Sequence, residues 1–399
     1  MAGSLYRLEA PIRRYDWGSP TALPALLGAD NPNREPWAEM WLGTHPAAPS
    51  QVYTPAGTVP LAELLAGADA DQVGGRANAR LGHELPFLLK LIAAEKPLSI
   101  QCHPDRDQAR AGFRREEAAG VPRDAPERCY RDARHKPELV VALSPFAALA
   151  GFRTPPDIVA AFEDMNVDEL QPEVSALAKT GEVSAFFSAL LRIEERRSRA
   201  ILDQVARGAA RSASQDASLV ADLLARHPRD LGALAPLYLN FVELSAGDGL
   251  FLPPRQLHSY LRGTAVEVMA SSDNVLRGGL TTKPVATAEL DAVVDPAPAP
   301  PRIVRAQPTG PGVSVYPTPA EEFELARVSA RGGRDCVLSG LSSASLAICA
   351  EGQVTIRDPD GGESLSLSGG RAALIAASVP RVHIEGSGVV YAAYVPKDA

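Results

Sequence analysis

Between Leu98 and Asp105 the chain reads Leu-Ser-Ile-Gln-Cys-His-Pro-Asp, directly after the charged turn Glu95-Lys96-Pro97. Such a run suits a short extended strand, and a strand fixes where its side chains point. Successive residues face opposite sides, so Gln101 and His103 share one face while Cys102 looks the other way. Two further ligand types stand in similar settings. Glu138 follows Lys136-Pro137, where proline holds its predecessor extended and sends Lys136 and Glu138 the same way. His258 and Tyr260 occupy positions i and i+2 after the rim Pro253-Pro254. Gln101, His103, Glu138 and His258 form a mixed nitrogen and oxygen set suited to zinc or a similar divalent ion, with room for a water or substrate oxygen.

Each constellation alone has a plainer explanation. A strand histidine is commonly a hydrogen-bonded structural residue, and Lys136 with Glu138 would pass for a surface pair. Their coincidence points to a metal-dependent enzyme acting on a small anionic substrate. Of 40 basic residues only six are lysine, and Lys90, Lys96, Lys136 and Lys283 fall inside the chemically suggestive segments. Lysine differs from arginine in that its amine gives up a proton when desolvated or placed beside a cation, which would suit Lys136 to proton transfer. Arg277, ending the polar loop Ser271 to Leu280, suits a phosphate or a developing oxyanion. No P-loop or dinucleotide fingerprint is present, so no nucleotide cofactor is indicated.

A chain of 399 residues exceeds what one core usually supports, so two or three domains are expected. Residues 1–153 contain short apolar runs broken by proline and glycine, among them Pro86 to Ile92, Leu139 to Leu143 and Phe146 to Phe152. They read as β structure with short helices near Leu61 to Leu65 and Asp105 to Glu117. From 154 to 236 the period changes: Thr154-Pro155-Pro156 opens a helix, and Val183 to Ala206 carries apolar residues at helical spacing. Strands resume in 237–300, and the Pro/Ala stretch Asp295 to Pro301 reads as a linker. Residues 301–399 alternate short strands with Gly/Ser/Asp turns, giving a second β barrel or sandwich in which His383 stands alone. The net charge of -8 and the absence of basic clusters argue against nucleic-acid binding. Met1 to Trp17 lacks an apolar h-region, no apolar stretch is long enough to span a bilayer, and the four cysteines form no framework. A cytoplasmic location without membrane attachment is expected.

Taken together these motifs resemble the type I phosphomannose isomerases, a zinc-dependent family of the cupin superfamily. The resemblance begins at Tyr15-Asp16-Trp17-Gly18-Ser19 and continues through Trp37 to Pro46, Leu85 to Lys90, Leu98 to Pro104 and His135 to Glu138. It closes with Leu257 to Leu261, Val266 to Ala270 and Ser272 to Lys283. Cys102 and Thr282 depart from the residues usual at those places. The resemblance implies a mainly β fold with two cupin-like jelly-roll barrels and an inserted α-helical domain. It also implies one zinc per subunit on Gln101, His103, Glu138 and His258, and Arg277 as an active-site arginine. Function follows as interconversion of mannose 6-phosphate and fructose 6-phosphate through a cis-enediol(ate). Lys136 is favoured over Glu267 as base, with His135 or Asp273 assisting ring opening. Ser99, Lys90 and Arg277 would hold phosphate or hydroxyls, and Trp17, Glu39, Tyr260 and Glu267 would line the pocket of a monomeric enzyme. An isomerase of another sugar, or a metal-binding cupin without turnover, are the competing readings.

Overall fold

The computed structural model describes residues 3–67, 70–75, 84–332 and 335–396. Its architecture is mainly β, built from two antiparallel sheets with a helical segment between strands of the first. One 13-residue strand, His258–Ala270, organises the metal-bearing half. Its first residues pair with Phe146–Phe152 and Ile100–Cys102, and its later residues with Phe87–Ala94 and Glu138–Ala142. The changeover falls at Gly263, with φ of 115°, where an added Cβ would sit 2.6 Å from the Pro145 carbonyl oxygen. Only glycine permits this bend, and the bend lets one strand serve two sheet faces. His258, Tyr260 and Glu267 therefore reach the same interior from a single strand.

The helical segment comprises Pro155–Met165, Gln171–Thr180, Val183–Leu191, Glu195–Ala209 and Gln215–Arg226. Thr154 caps the first of these and Pro155 opens it, where a missing N–H costs nothing. The stretch Val183 to Ala206, read as one periodic run, is two helices broken at 192–194. Glu194 adopts an extended conformation there and restarts the helix. Apolar faces of these helices pack with Ile100, Cys102, Leu276 and Leu280 into one core. The helices thus lean on the strands that carry the candidate ligands.

The second sheet joins Val313–Tyr316, Glu324–Ala330, Arg381–Tyr394, Ser345–Arg357 and Ala372–Ile375. Ser345–Arg357 is one continuous strand, in which Gly352 (φ 73°) and a bulge after Cys349 take up what its Glu-Gly pair would suggest is a turn. The two β units also exchange strands. Leu5–Glu9 pairs with Ala372–Ile375, and Arg302–Arg305 pairs with Asp248–Leu252 in the first sheet. Local pattern shows that a strand exists; only tertiary packing selects its partner, so linear boundaries at 153 and 300 do not foretell this exchange. The expected linker Asp295 to Pro301 has no regular structure but is tied down. The Asp295 N–H donates to the Arg255 carbonyl and the Ala299 N–H to that of Phe152.

Candidate functional site

Ile100 and Cys102 are fully buried in the core shared with the helices, which leaves Gln101 between them facing the other way. Burial holds the Cys102 thiol well above its ordinary range and keeps it protonated, a poor ligand pointing away from the cavity. Gln101 lies directly opposite His258 on one neighbouring strand and opposite Arg277 on the other. His103 follows at the strand end.

Three ligand atoms, from His103, Glu138 and His258, lie within 4.8 Å of one another, and all three residues are buried. Glu138 sits between the imidazoles: its Oε1 is 3.3 Å from His103 Nε2 and its Oε2 is 3.3 Å from His258 Nε2. Both histidines are held from behind. His103 Nδ1 donates to the Asn274 carbonyl at 2.7 Å, and His258 Nδ1 to the Gln256 carbonyl at 3.0 Å. That fixes the tautomer and turns both Nε2 lone pairs toward Glu138. His103 Nε2 is buried without a hydrogen-bond partner, a costly state for a polar atom. Burial and the nearby Lys136 push its ionisation down to about 4, so the ring is neutral at pH 7. Burial alone would raise the Glu138 pKa, but Lys136 and His103 hold it well below the usual range. Two imidazoles whose Nε2 atoms face one carboxylate, one of them without a hydrogen-bond partner, fit a zinc-sized dication.

The cavity above this triangle is lined by Glu39, Lys90, Ser99, Gln101, Lys136, Glu138, His258, Tyr260 and Glu267. Lys136 Nζ lies 3.0 Å from Glu138 Oε1. Lys90 Nζ lies 3.0 Å from Glu267 Oε2 and 3.9 Å from Glu39 Oε1. Desolvation works against the Lys90 charge, but Glu267 and Glu39 outweigh it and keep the amine firmly protonated. The Trp41 indole N–H donates to Glu39 Oε2 at 2.5 Å, and the Tyr260 hydroxyl donates to Glu267 Oε1 at 2.7 Å. Burial raises the Glu267 carboxyl, opposed by Lys90 and reinforced by Glu138. Trp17 stacks on Tyr15 and packs beside the cluster containing Leu98 and Tyr260, at the edge of the cavity rather than in its lining.

His135, Asp273 and Arg277 are not among the residues that line this cavity. His135 faces a separate cleft, where its Nε2 lies 2.8 Å from Glu322 Oε1 and 3.2 Å from Arg106 Nη2. Asp273 bonds to His45 Nε2 at 3.0 Å, and the charge of Lys136 reaches it. Burial would raise the Asp273 carboxyl, but His45 and then Lys136 pull it below the ordinary range. Sequence reasoning did not single out His45, Trp41 or Asn274. His45 and Trp41 sit inside the motif Trp37 to Pro46, yet nothing in that motif shows which polar groups they meet. Asn274 is fully buried; its side chain accepts from the Arg131 N–H at 2.7 Å and donates to the Asp132 and Arg134 carbonyls at 2.9 and 2.8 Å. It thereby laces the loop before Lys136 to the backbone that orients His103.

A family model of the type I phosphomannose isomerase catalytic domain matches residues 5–155. Mannose-6-phosphate isomerase of Escherichia coli K12 is 36% identical over 391 residues, spanning 96% of this chain and 98% of that protein. The chain belongs to the type I phosphomannose isomerases. The mannose-6-phosphate isomerase of Schizosaccharomyces pombe is 30% identical over 409 residues, covering 94% of this chain and 95% of its own. A zinc-bound crystal structure of mannose 6-phosphate isomerase superposes with a TM-score of 0.92 at 33% identity, covering 99% of this chain and 100% of that one. The Salmonella typhimurium phosphomannose isomerase bound to its substrate fructose 6-phosphate and zinc gives 0.91 at 33% identity, with the same coverage. Among the described residues of this family member, no helix is long and apolar enough to cross a membrane.

Proposed function

We infer that the protein is a zinc-dependent aldose–ketose isomerase interconverting mannose 6-phosphate and fructose 6-phosphate through a cis-enediol(ate). The observation that carries this reading is the buried His103–Glu138–His258 triangle, opening onto a cavity that presents Lys136, Lys90 and Glu267 together. His103, Glu138 and His258 would hold the zinc, with Gln101 as fourth ligand from the adjacent strand position. Zinc there would supply Lewis acidity toward the oxygens on C1 and C2 of the open-chain sugar.

Lys136, held 3.0 Å from Glu138, is the base that takes the C2 proton and returns it at C1. Arg277, beside Gln101 in the strand pairing, faces negative charge from the substrate. It has company: burial and Arg131 disfavour the Arg277 charge, and burial, Arg277 and Arg131 disfavour that of Lys283. Among the described residues none of the three forms an ion pair with a carboxylate. Cations crowded together in this way, with no carboxylate at ion-pair distance, suit a phosphate dianion. Lys90 and Ser99 are then left to the sugar hydroxyls, with Glu39, Tyr260 and Glu267 completing the hydrogen-bonded wall and Trp17 its edge. Ring opening goes to Asp273 with His45, since His135 is occupied by Glu322 away from the cavity.

Residues 1–153 and 237–300 serve as the metal-bearing barrel, 154–236 as its helical buttress and 301–399 as the second barrel, apart from the strands they exchange. The enzyme acts as a cytoplasmic monomer in this reading. The test is isomerisation of mannose 6-phosphate by purified protein before and after chelation, with zinc returned. Activity lost to chelator and restored by zinc supports the assignment; no turnover despite stoichiometric zinc sinks it.

A further inference from the structure

The turn that follows Arg277 is gripped by the end of the helical segment. Asp230 accepts from the Gly232 N–H at 2.8 Å with one carboxylate oxygen and from the Thr281 N–H at 3.2 Å with the other. Thr281 passes the constraint on, its hydroxyl accepting from the Lys283 N–H at 3.1 Å. The two backbones touch without side chains between them. A Cβ on Gly279 (φ 135°) would lie 2.8 Å from Gly232 Cα, and one on Gly232 would lie 2.9 Å from Gly279 Cα. Between these contacts Leu280 is held at φ 55°, a left-handed conformation that costs a leucine free energy, while its side chain is buried in the helical core. A strained residue persists only where its surroundings over-determine it. Farther along, the same stretch is pinned again, as Asp291 accepts from Ser188 and from Arg192 of the helical segment.

We propose that Asp230 is a positioning residue for substrate anchoring, fixing the turn Gly279–Thr281 and so setting where Arg277 and Lys283 meet the phosphate of the sugar. This rests on the reading of those cations as the phosphate anchor. Asp230 touches no substrate. It acts through two backbone N–H groups, and its loss leaves the His103–Glu138–His258 triangle intact.

The experiment is steady-state kinetics on zinc-loaded Asp230→Ala, Thr281→Val and Lys283→Ala, with inorganic phosphate as competitive inhibitor and zinc content measured alongside. For Asp230→Ala the KM for mannose 6-phosphate and the Ki for phosphate rise together by about tenfold, as expected for a mispositioned charged contact, while kcat stays within about twofold. Thr281→Val gives a smaller rise in the same two constants. Unchanged KM and Ki in Asp230→Ala, or a fall in kcat alone, would overturn the positioning role. Should Asp230→Ala fail to fold, Asp230→Asn, which keeps one acceptor oxygen, decides by the same two constants. Unaltered constants in Lys283→Ala would overturn the anchoring reading itself. Raised constants in Lys283→Ala beside normal ones in Asp230→Ala would remove the role of Asp230 alone.

Discussion

His103 Nδ1 donates to the main-chain carbonyl of Asn274 across 2.7 Å, while the Asn274 side chain binds three positions of one loop, Arg131, Asp132 and Arg134. One residue thus orients a metal ligand with its backbone and the loop leading to Lys136 with its amide. Replacing it by alanine leaves buried N–H and C=O groups of that loop without partners, a loss of about 2–3 kcal/mol. The slackened carbonyl also loosens the His103 ring. Asn274→Ala is expected to weaken zinc binding by about 10–100-fold, the usual cost of removing a group behind a ligand. Competition with a chromophoric chelator reads the affinity, and urea unfolding reads the stability. Native zinc affinity in this variant would show that the His103 ring is held by packing alone.

Among the described residues Lys90 is the ion-pair partner of both Glu39 and Glu267, and all three are almost fully buried. Lys90→Met strands two carboxylates in a low-dielectric interior, at a cost of about 3–5 kcal/mol. The double variant Lys90→Met/Glu267→Gln removes the nearer uncompensated charge and should recover a large part of that loss. Urea midpoints of the two variants against the parent measure the difference. A double variant no more stable than the single one would mean that Glu267 takes up a proton when Lys90 is gone.

What the sequence made legible here follows from strand parity. Alternation alone puts Gln101 opposite Cys102, and it puts Lys136 beside Glu138, because both depend only on two-residue spacing. The bend at Gly263 and the break at 192–194 are less visible, since a glycine or a charged pair within a periodic run has several uses. His135 stands next to Lys136 and yet faces another cleft. In an extended segment adjacent residues point apart, and the rotamer that meets Glu322 depends on a residue 187 positions away. The Asp230 grip on Thr281 lies beyond sequence reading for the same reason. It joins two glycines whose contact no local pattern encodes.

Glu322 supplies a pH signature. Burial would raise its carboxyl, but the hydrogen bond and charge of His135, with Arg106, hold it below the ordinary value of 4.5. A carboxyl whose pKa is lower folded than unfolded contributes stability above the unfolded value, and this is lost as pH falls through the folded value. The stability gap between the parent and Glu322→Gln should therefore narrow as pH falls below about 4.5 and close under more acid conditions. Urea unfolding at a series of pH values follows it. A gap persisting undiminished at about pH 3 would assign the effect to packing rather than to ionisation.

Asp273 and His135 separate by consequence as they do by place. Asp273 is half-exposed, bonded to His45 and within electrostatic reach of Lys136, so its carboxylate stays ionised. A group that transfers a proton during ring opening contributes about 10²–10⁴-fold to rate. Asp273→Asn keeps the size and one acceptor oxygen but removes the basic carboxylate, so kcat on mannose 6-phosphate should fall by about 100-fold or more. His135 meets Glu322 and Arg106 in the neighbouring cleft, so His135→Ala should lower kcat by less than about tenfold while costing stability through the Glu322 it leaves with Arg106 alone. Steady-state kinetics on both variants, with zinc content verified, decides between them. A larger loss in His135→Ala than in Asp273→Asn would require the imidazole to leave Glu322 and swing into the cavity during turnover, and would return ring opening to His135.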